Sequence, residues 1–373
     1  MPLRALARVN LAAIERNVAR LRRELDGAIL CAVVKGDGYG HGAVPSARAA
    51  LDGGAGWLGV ATAEEALSLR EARIEAPILV MGAISADELP VALAARADLV
   101  AWTEPFVAAV AASASGAPVG LHVKLDSGMG RLGTRVLDDA VGVATRVLEA
   151  APAVRLAGAM THFATADDDQ EFVFDQLARF APFVAEMRHL QGDIVVHAAN
   201  SAATLRAPAS HFDMVRCGIA IYGCDPMNQD PDRWALEPAL ELTSYLAAVK
   251  RAAPGDSAGY GRRYIAERET WLATLPIGYG DGIRRGLTNN CEVLVDGVRY
   301  PLVGTVSMDN ITIDLGPEPD VAVGDAATII GRSGALRQTA EEVARRLDTI
   351  NYEVTCGISA RVPRHYHRDG EPT

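Results

Sequence analysis

The sequence predicts an α/β protein in which a (β/α)8 barrel is followed by a mostly-β domain. Eight short apolar runs alternate with helical patterns over roughly 210 residues, close to the ~250 that are typical of such barrels. A single lysine, Lys35, stands where the first of these runs ends. After about residue 233 the alternation stops, and strand-like runs with glycine and proline turns replace it.

Composition and charge narrow the functional classes. The chain has 373 residues, of which 49% are apolar and 22% charged, so it can bury a substantial core. A net charge of -11 argues against nucleic acid and anionic membranes as partners. The five cysteines form no CxxC or Cys/His pattern, so we expect no metal and free thiols in a reducing compartment. We find no apolar signal region or membrane-spanning run and expect a cytoplasmic protein.

The first half of the chain is predicted element by element. Leu3–Val9 is predicted to be a strand, and Asn10 to cap a helix with apolar residues at helical spacing. The predicted barrel strands are Ile29–Val34, Trp57–Val60, Ile78–Met81, Leu99–Trp102, Gly120–Leu125, Arg155–Met160, Ile194–Ala198 and Met214–Cys217. Thr62 and Glu65 form a capping box after the second of these strands, and Thr103 begins a helix after the fourth. A doubly wound sheet is the alternative, but its phosphate-binding GxGxxG motif is absent.

Lys35 is the first candidate for chemistry. The run Ile29–Val34 is bounded by glycines, which is typical of a buried strand, so Lys35 lies at a carboxyl strand end, where parallel folds bind ligands. Loss of hydration there favours the neutral amine that Schiff-base chemistry needs. On the strand alone, a lysine that extends its charge to solvent explains the position as well.

Further chemistry-bearing residues follow the later strands. Taken singly, a histidine or arginine of this kind is usually a structural partner, but their convergence on one barrel mouth is hard to explain by packing. A phosphate is expected after the seventh and eighth strands, where a hydroxyl and backbone N–H groups are available. The residues at these strand ends are Lys124, Arg131, His162, Asn200, Ser201, Arg216, Gly218 and Ile219.

The second half is predicted to be mostly β, with one helix capped by Thr339 and Glu342. Its predicted strands are Leu240–Val249, Glu269–Leu275, Glu292–Val295, Val298–Leu302, Thr305–Ile313 and Ala326–Ile330. We place the barrel at residues 10–233 and the β domain at 234–373. The N-terminal strand, residues 1–9, is free to join the β domain because a barrel with eight strands of its own has no place for a ninth.

The motifs resemble those of the alanine racemases along nearly the whole chain. The resemblance rests on Lys35, the segment from Lys124 to Arg131, Met160-Thr161-His162-Phe163, His197-Ala198-Ala199-Asn200-Ser201, Arg216, Tyr260, Ser307-Met308-Asp309 and Arg361-Val362-Pro363-Arg364, which appear in the family's order. It implies an enzyme that interconverts L- and D-alanine with pyridoxal 5′-phosphate (PLP), supplying D-alanine for the bacterial cell wall. It also implies a homodimer whose sites take Tyr260 and Met308 from the partner subunit.

The resemblance further implies a role for each site residue. Lys35 carries PLP and is one catalytic base, Tyr260 is the second base, and Arg216 faces the pyridine nitrogen. His162 packs near the ring and links Arg216 to Tyr260. The phosphate is held by Tyr39, Ser201, Gly218, Ile219 and Tyr352, with Asn200 beside them. Arg131 and Met308 hold the substrate carboxylate with Tyr279 nearby, and Lys124 carries a CO₂ adduct.

Some features depart from the family pattern, and other functions remain open. Gly36 and Gly38 stand where alanine is common, Gly259 where serine is common, and Thr305 where arginine is frequent. None of these removes a chemical group from the expected site. The alternatives are a racemase of another small amino acid such as serine, a barrel-type PLP decarboxylase of basic amino acids, and a non-catalytic PLP-binding protein.

Overall fold

The chain divides into two compact units. The computed structural model describes residues 3–373, so Met1 and Pro2, which the predicted N-terminal strand includes, lie outside the described residues. One unit comprises Ile14–Ile221, and the other comprises the residues up to Ala13 together with Tyr222–Thr373.

Strand β1 (Leu6–Asn10) and helix α1 (Leu11–Arg22) open the described chain. The strand starts three residues later than predicted. The side-chain oxygen of Asn10 accepts the backbone N–H of Ala12 at 3.2 Å, as expected of a residue that caps a helix. Ile14, Val18 and Leu21 are fully buried on one face of α1, which confirms the helical spacing read from the sequence.

Eight parallel strands form the barrel of the Ile14–Ile221 unit. They are β2 (Ile29–Val33), β3 (Trp57–Val60), β4 (Ile78–Val80), β5 (Asp98–Ala101), β6 (Val119–Lys124), β7 (Val154–Met160), β8 (Val195–His197) and β9 (Met214–Cys217). Their order is β8-β7-β6-β5-β4-β3-β2-β9. The sheet closes because Asp213 and Arg216 donate their N–H groups to the carbonyls of Val196 and Ala199. The predicted barrel is confirmed, with strand ends within two residues of those expected.

Helices connect these strands. They are α2 (Lys35–Tyr39), α3 (Ala43–Asp52), α4 (Ala63–Glu71), α5 (Leu89–Ala94), α6 (Glu104–Ser113), α7 (Leu137–Glu149), α8 (Gln170–Leu190) and α9 (Ser201–Arg206). The capping box of Thr62 and Glu65 is present, and Thr103 caps α6 through the N–H of Phe106. Both predicted helix starts are confirmed.

The barrel interior combines apolar packing with buried polar groups. An apolar cluster from five strands fills part of it: Cys31, Leu79, Val100, Met160 and Met214. Two imidazoles, His122 and His197, are fully buried as well. All five cysteines lie within residues 3–373 and are free thiols; four are buried and Cys356 is exposed.

The other unit is built mainly of strands. They are β10 (Leu240–Tyr245), β11 (Ala248–Ala252), β12 (Ser257–Ala258), β13 (Tyr264–Ile265), β14 (Thr270–Leu275), β15 (Glu292–Val295), β16 (Val298–Val303), β17 (Ile311–Gly316), β18 (Ala326–Ser333), β19 (Leu336–Gln338), β20 (Arg364–Arg368) and β21 (Glu371–Pro372). Two helices, α10 (Ala340–Arg346) and α11 (Asn351–Cys356), accompany them. The main sheet runs β11-β14-β17-β16-β15-β18-β10-β1-β20-β21, so β1 lies between β10 and β20.

Three predictions for this unit were wrong in part. Thr305–Ile313 is not one strand, because the Ser307 hydroxyl and the Asn310 backbone exchange hydrogen bonds in a tight turn and β17 begins only at Ile311. The run Leu240–Val249 is broken at Leu246, where the chain leaves β18 for β14. A second helix, α11, was not expected. The capping box of Thr339 and Glu342 is present as predicted.

Candidate active site

Lys35 opens a left-handed turn at the carboxyl end of β2. Gly36, Asp37, Gly38 and Tyr39 have φ values of 61°, 51°, 63° and 53°. Glycine adopts this region freely, whereas a tyrosine there is strained, and such strain is concentrated at functional sites. The carboxylate of Glu65 accepts the N–H of Gly36 at 2.6 Å and that of Ala61 at 2.7 Å, so helix α4 holds the turn that presents Lys35.

A cradle of donors lies where β8 and β9 end. The Ser201 hydroxyl oxygen accepts the N–H of Gly218 at 2.9 Å and that of Ala220 at 3.4 Å, which leaves its own proton for another acceptor. A Cβ on Gly218 would lie 2.3 Å from the hydroxyl oxygen of Tyr39, so only glycine permits this close approach. The cradle therefore presents two hydroxyls, which suit a phosphate.

Asn200 and Ile219 are the chain neighbours of Ser201 and Gly218 in the cradle. The side-chain oxygen of Asn200 accepts the N–H of Ala203 at 3.0 Å and so caps α9, which Ser201 begins. Ile219 is fully buried and opens a 3-10 turn, Ile219–Tyr222. Both residues shape the backbone next to the hydroxyls.

Arg216 is buried on β9 and its guanidinium is surrounded by acceptors. It donates to Nδ1 of His197 at 2.8 Å and Nδ1 of His162 at 3.1 Å, and to the carbonyls of Thr161 and Ala198, both at 2.9 Å. Burial lowers the Arg216 pKa to about 10, so the group remains a cation at neutral pH. Because arginine is only a donor, both imidazole Nδ1 atoms must be unprotonated acceptors.

The two histidines that contact Arg216 are neutral. Burial, and after it the charge of Arg216, lower the pKa of His162 and of His197 well below the ordinary value. Each imidazole therefore keeps its single proton on Nε2. The site thus contains a permanent cation bordered by neutral rings.

Lys124 and Arg131 belong to β6 and the loop after it. Lys124 is buried, and burial followed by the charges of Arg216 and Arg131 lowers its pKa to about 8. Asp126 organises the loop by accepting the N–H groups of Gly128 and Gly130 at 3.1 and 2.9 Å and Nε of Arg135 at 3.1 Å. Arg131 is exposed at the tip of this loop.

Gln176, on α8, connects the loops that follow β6 and β7. Its amide nitrogen donates to the Ser127 hydroxyl at 3.2 Å and to the His162 carbonyl at 3.1 Å, and its oxygen accepts the N–H of Ala164 at 2.9 Å. Gln176 carried no signal in the sequence, and Glu65 was expected only to cap α4 with Thr62, because a polar residue within a helix does not reveal a distant partner.

His122 and His197 were also not assigned a role from the sequence. A signal was present for His122, which lies two residues before Lys124 and so shares the inward face of β6. His197 lay within a quoted motif. What the sequence does not reveal is that Nε2 of His197 lies 2.8 Å from Nδ1 of His122.

The remaining predicted site residues belong to the other unit. Tyr260, Tyr279 and Met308 are exposed, Tyr260 by 75%, and they lie on loops that are hydrogen-bonded together. Tyr279 donates its backbone N–H to the Ser307 carbonyl at 2.9 Å, and the Thr305 hydroxyl donates to the Tyr260 carbonyl at 2.6 Å. Tyr352 is half-buried on α11. This unit therefore displays large side chains together on one set of loops.

Two further searches concern metals and membranes. In residues 3–373 no group of three or more His, Cys, Asp or Glu side chains is arranged to hold a metal ion. Over the same range, every helix is too short or too polar to cross a bilayer.

Comparison with known proteins gives consistent matches over both units. The family model described as "Alanine racemase, N-terminal domain" matches residues 9–226, and that described as "Alanine racemase, C-terminal domain" matches residues 239–366. An alanine racemase of Halalkalibacterium halodurans is 43% identical over 97% of this chain and 95% of its own length. That of Geobacillus stearothermophilus is 43% identical over 97% and 93%.

Solved structures agree with these matches. The structure of alanine racemase from Bacillus anthracis with bound L-Ala-P superposes with a TM-score of 0.92 at 39% identity, covering 100% of this chain and 97% of that one. The structure from E. faecalis gives a TM-score of 0.91 at 38% identity, with 97% and 98% covered.

Proposed function

The chain belongs to the alanine racemase family, and we propose that it interconverts L- and D-alanine with PLP by a two-base mechanism. The observation that carries this proposal is the placement of Lys35, Arg216 and the Ser201–Gly218 cradle on three neighbouring strands. β9 pairs with β2 and is hydrogen-bonded to the β8 segment. An amine, a permanent cation and a phosphate cradle at one edge are the groups that this cofactor needs.

The residues present fit the cofactor. The hydroxyls of Tyr39 and Ser201 suit its phosphate, and Lys35 suits its aldehyde carbon. Bound PLP supplies an electron sink that makes the α-proton of an amino acid acidic. Arg216 suits the ring nitrogen, and because it does not give up its proton, it leaves that nitrogen unprotonated.

Two bases on opposite faces explain racemisation without turning the substrate over. The amine of Lys35 takes or returns a proton on one face of the α-carbon, and the hydroxyl of Tyr260 serves the other. His162 accepts from Arg216 at Nδ1, so its Nε2–H is free to donate toward the tyrosine oxygen and steady that base. Arg131 is a guanidinium suited to the substrate carboxylate, with Met308 and Tyr279 beside it.

We also propose that Lys124 carries a carbamate. Carbamate formation needs a neutral amine, and the lowered pKa of Lys124, about 8, makes that form accessible at neutral pH. The product is an anion, and it would balance the cationic charges of Arg131 and Arg216 that otherwise repel the lysine. It would thereby hold the guanidinium of Arg131 in place.

The functional unit that we propose is a homodimer with shared sites. Tyr260, Tyr279 and Met308 are exposed on hydrogen-bonded loops, as side chains that complete a partner's site must be. Two-fold symmetry then closes two equal sites. A cytoplasmic location and a role in supplying D-alanine for the cell wall are part of the same proposal, and four buried free thiols support a reducing compartment.

Circular dichroism of purified protein with PLP tests the function directly. L-alanine should lose its optical signal, L-serine should react more slowly, and ornithine, lysine or diaminopimelate should release no CO₂. Borohydride should fix PLP to the peptide that contains Lys35. Attachment to another lysine would refute the site assignment. Bound PLP without turnover of any amino acid would favour a non-catalytic binding protein.

A further inference from the structure

A chain of polar side chains, buried apart from Asp98 at its outer end, runs through the barrel to Arg216. It starts at Asp98, the first residue of β5, whose carboxylate pairs with the exposed Arg155 at 2.9 Å. Nε2 of His122 lies 3.5 Å from the same carboxylate, and Nδ1 of His122 lies 2.8 Å from Nε2 of His197. Nδ1 of His197 then accepts from Arg216 at 2.8 Å. The chain therefore connects the amino end of β5 to the candidate site.

The nitrogen that carries each proton follows from the groups at the two ends of this set, Arg216 and Asp98. Arg216 can only donate, so His197 must accept at Nδ1 and carry its proton on Nε2. That proton is donated to Nδ1 of His122, which in turn must carry its own proton on Nε2. The carboxylate of Asp98 can only accept, so it suits that Nε2–H. Donor and acceptor therefore alternate from Arg216 to His122, and Nε2 of His122 faces the Asp98 carboxylate at 3.5 Å, a contact longer than an ordinary hydrogen bond.

The surroundings are built to accommodate the imidazoles. Gly158 of β7 pairs with His122 of β6, and a Cβ on it would lie 2.2 Å from Nδ1 of His122. Gly120 of β6 likewise leaves space for Asp98, whose carboxylate would lie 2.3 Å from an added Cβ. The ring of Trp57 packs edge-on against His122 at 5.7 Å between centroids. The space left by the two glycines and the contact with the Trp57 ring therefore hold these polar side chains in one arrangement.

Burial makes a wrong tautomer costly. His122 and His197 are fully buried, so a misplaced proton would set two N–H groups against each other with no water to relieve them. Burial raises and the contacts with His122 and Arg155 lower the pKa of Asp98, and the net shift is downward, so Asp98 stays ionised. The acceptor at the far end of the chain is therefore permanent.

We propose that Asp98 and His122 are positioning residues that lock His197 in its Nε2–H tautomer, so that its Nδ1 always accepts from Arg216. The guanidinium of Arg216 is then held in one orientation toward the ring nitrogen of PLP, which the proposed function assigns to it. This inference deepens the proposed function and rests on it for its catalytic consequence. Its structural content, the tautomer of each histidine, is independent of catalysis.

Long-range ¹H–¹⁵N spectroscopy of full-length protein labelled at histidine tests the tautomers, with and without PLP. Both His122 and His197 should show an unprotonated Nδ1 and a protonated Nε2. His122→Leu removes the acceptor and should give His197 a mixed or titrating signal. His122→Asn places an amide oxygen near the former Nδ1 and should retain the wild-type His197 signal. A protonated Nδ1 on His197, or a His197 signal unchanged by His122→Leu, would overturn the proposal.

A second variant covers the case in which His122→Leu does not fold. In Asp98→Asn the amide at position 98 can donate as well as accept. Part of the His122 population should therefore carry its proton on Nδ1 instead of Nε2, and an unchanged His122 signal would also overturn the proposal. Asp213→Asn is the matched control, because Asp213 likewise pairs with an arginine, Arg188, at 3.1 Å near a strand start but contacts neither imidazole. It should leave both histidine signals as they are.

Activity separates this inference from the proposed function. With L-alanine, His122→Leu should lower kcat by about 10- to 100-fold, as loss of a histidine's orienting partner does elsewhere, with KM nearly unchanged. His122→Asn should stay within about threefold of wild type. Equal losses in both variants would overturn the positioning role. Wild-type protein with the expected tautomers but no racemisation would instead refute the proposed function.

Discussion

Gly218→Ala tests the phosphate cradle most directly. The added methyl carbon would lie 2.3 Å from the Tyr39 hydroxyl oxygen and 2.8 Å from Cζ of that ring. Ordinary contact begins near ~3.5 Å, so the hydroxyl must withdraw by roughly 1 Å, beyond hydrogen-bond reach of a shared anion. The backbone at Gly218 lies outside the left-handed region, so alanine adds no conformational strain there.

The expected cost is the loss of one hydrogen bond to a charged group. Such a bond contributes about 1.5–3 kcal/mol, which corresponds to a roughly 10- to 150-fold higher apparent Kd for PLP. Titration of apoprotein with PLP, followed by absorbance, measures it. Gly192→Ala is the control, because a Cβ there meets nothing within 4 Å.

A double-mutant cycle separates the hydroxyl contact from general disruption. Tyr39→Phe removes the hydroxyl, so adding Gly218→Ala to it should cost less than Gly218→Ala costs alone. Thermal unfolding without PLP should show that both single variants are folded. If Gly218→Ala binds PLP as tightly as Gly192→Ala does, the cradle does not hold the phosphate and the reasoning is refuted.

Four further predictions concern other residues of the candidate site. In CO₂-free buffer the folded state disfavours the charged form of Lys124, whose pKa falls from the ordinary 10.5 to about 8. The free energy of unfolding should therefore rise as the pH increases from about 8 toward 10.5. Urea unfolding should show a smaller rise in Lys124→Met. With ¹³C-labelled bicarbonate, a carbamate signal should appear in wild type and vanish in that variant; its absence from wild type would contradict the adduct. Mixing Tyr260→Phe with Lys35→Ala under subunit exchange should restore some activity, and demonstrated exchange without activity would exclude shared sites. Gln176→Leu should lower the free energy of unfolding by about 2–4 kcal/mol, since it leaves several buried groups unpaired, whereas Gln176→Glu should lose less.

Much of the barrel could be predicted from local sequence patterns. Strand limits such as Trp57–Val60 and Met214–Cys217 agree with the structure because a buried parallel strand is a short apolar run between turns. Two helix starts could be predicted because a capping box is complete within four residues, as in Thr62 with Glu65 and Thr339 with Glu342. Structural features that are determined by a few neighbouring residues could therefore be predicted from the sequence.

Two predicted strands failed, one because of a local turn and one because of a distant segment. The β propensity of the segment at 305–310 is overridden by the hydrogen bonds between Ser307 and Asn310. The strand expected at Leu240–Val249 breaks because Leu246 hydrogen-bonds to Asp325, a residue far along the chain. The first cause is a side-chain hydrogen bond that outweighs β propensity, and the second cannot be seen in the residues of the strand itself.

The candidate site divides in the same way. The sequence by itself determined that Lys35, Ser201, Arg216 and Gly218 would follow barrel strands, because strand period and turn residues are local properties. Only the tertiary structure decided that Glu65 holds the turn after Lys35, at 2.6 Å from the N–H of Gly36. The orientation of Arg216 was likewise decided by contacts among strands that are far apart in sequence.

The sequence alone determined the barrel, the lysine at its mouth and the family resemblance, since composition, periodicity and motif order are written along the chain. The left-handed turn at Lys35, the protonation of His162 and His197, and the polar chain from Asp98 to Arg216 exist only in the folded molecule. Their physical reason is register: β7 pairs Gly158 with His122 and Met160 with His197, and that spacing sets which imidazole nitrogens meet. Hydrogen-bond partners and buried charge depend on three-dimensional proximity, which a linear pattern does not contain.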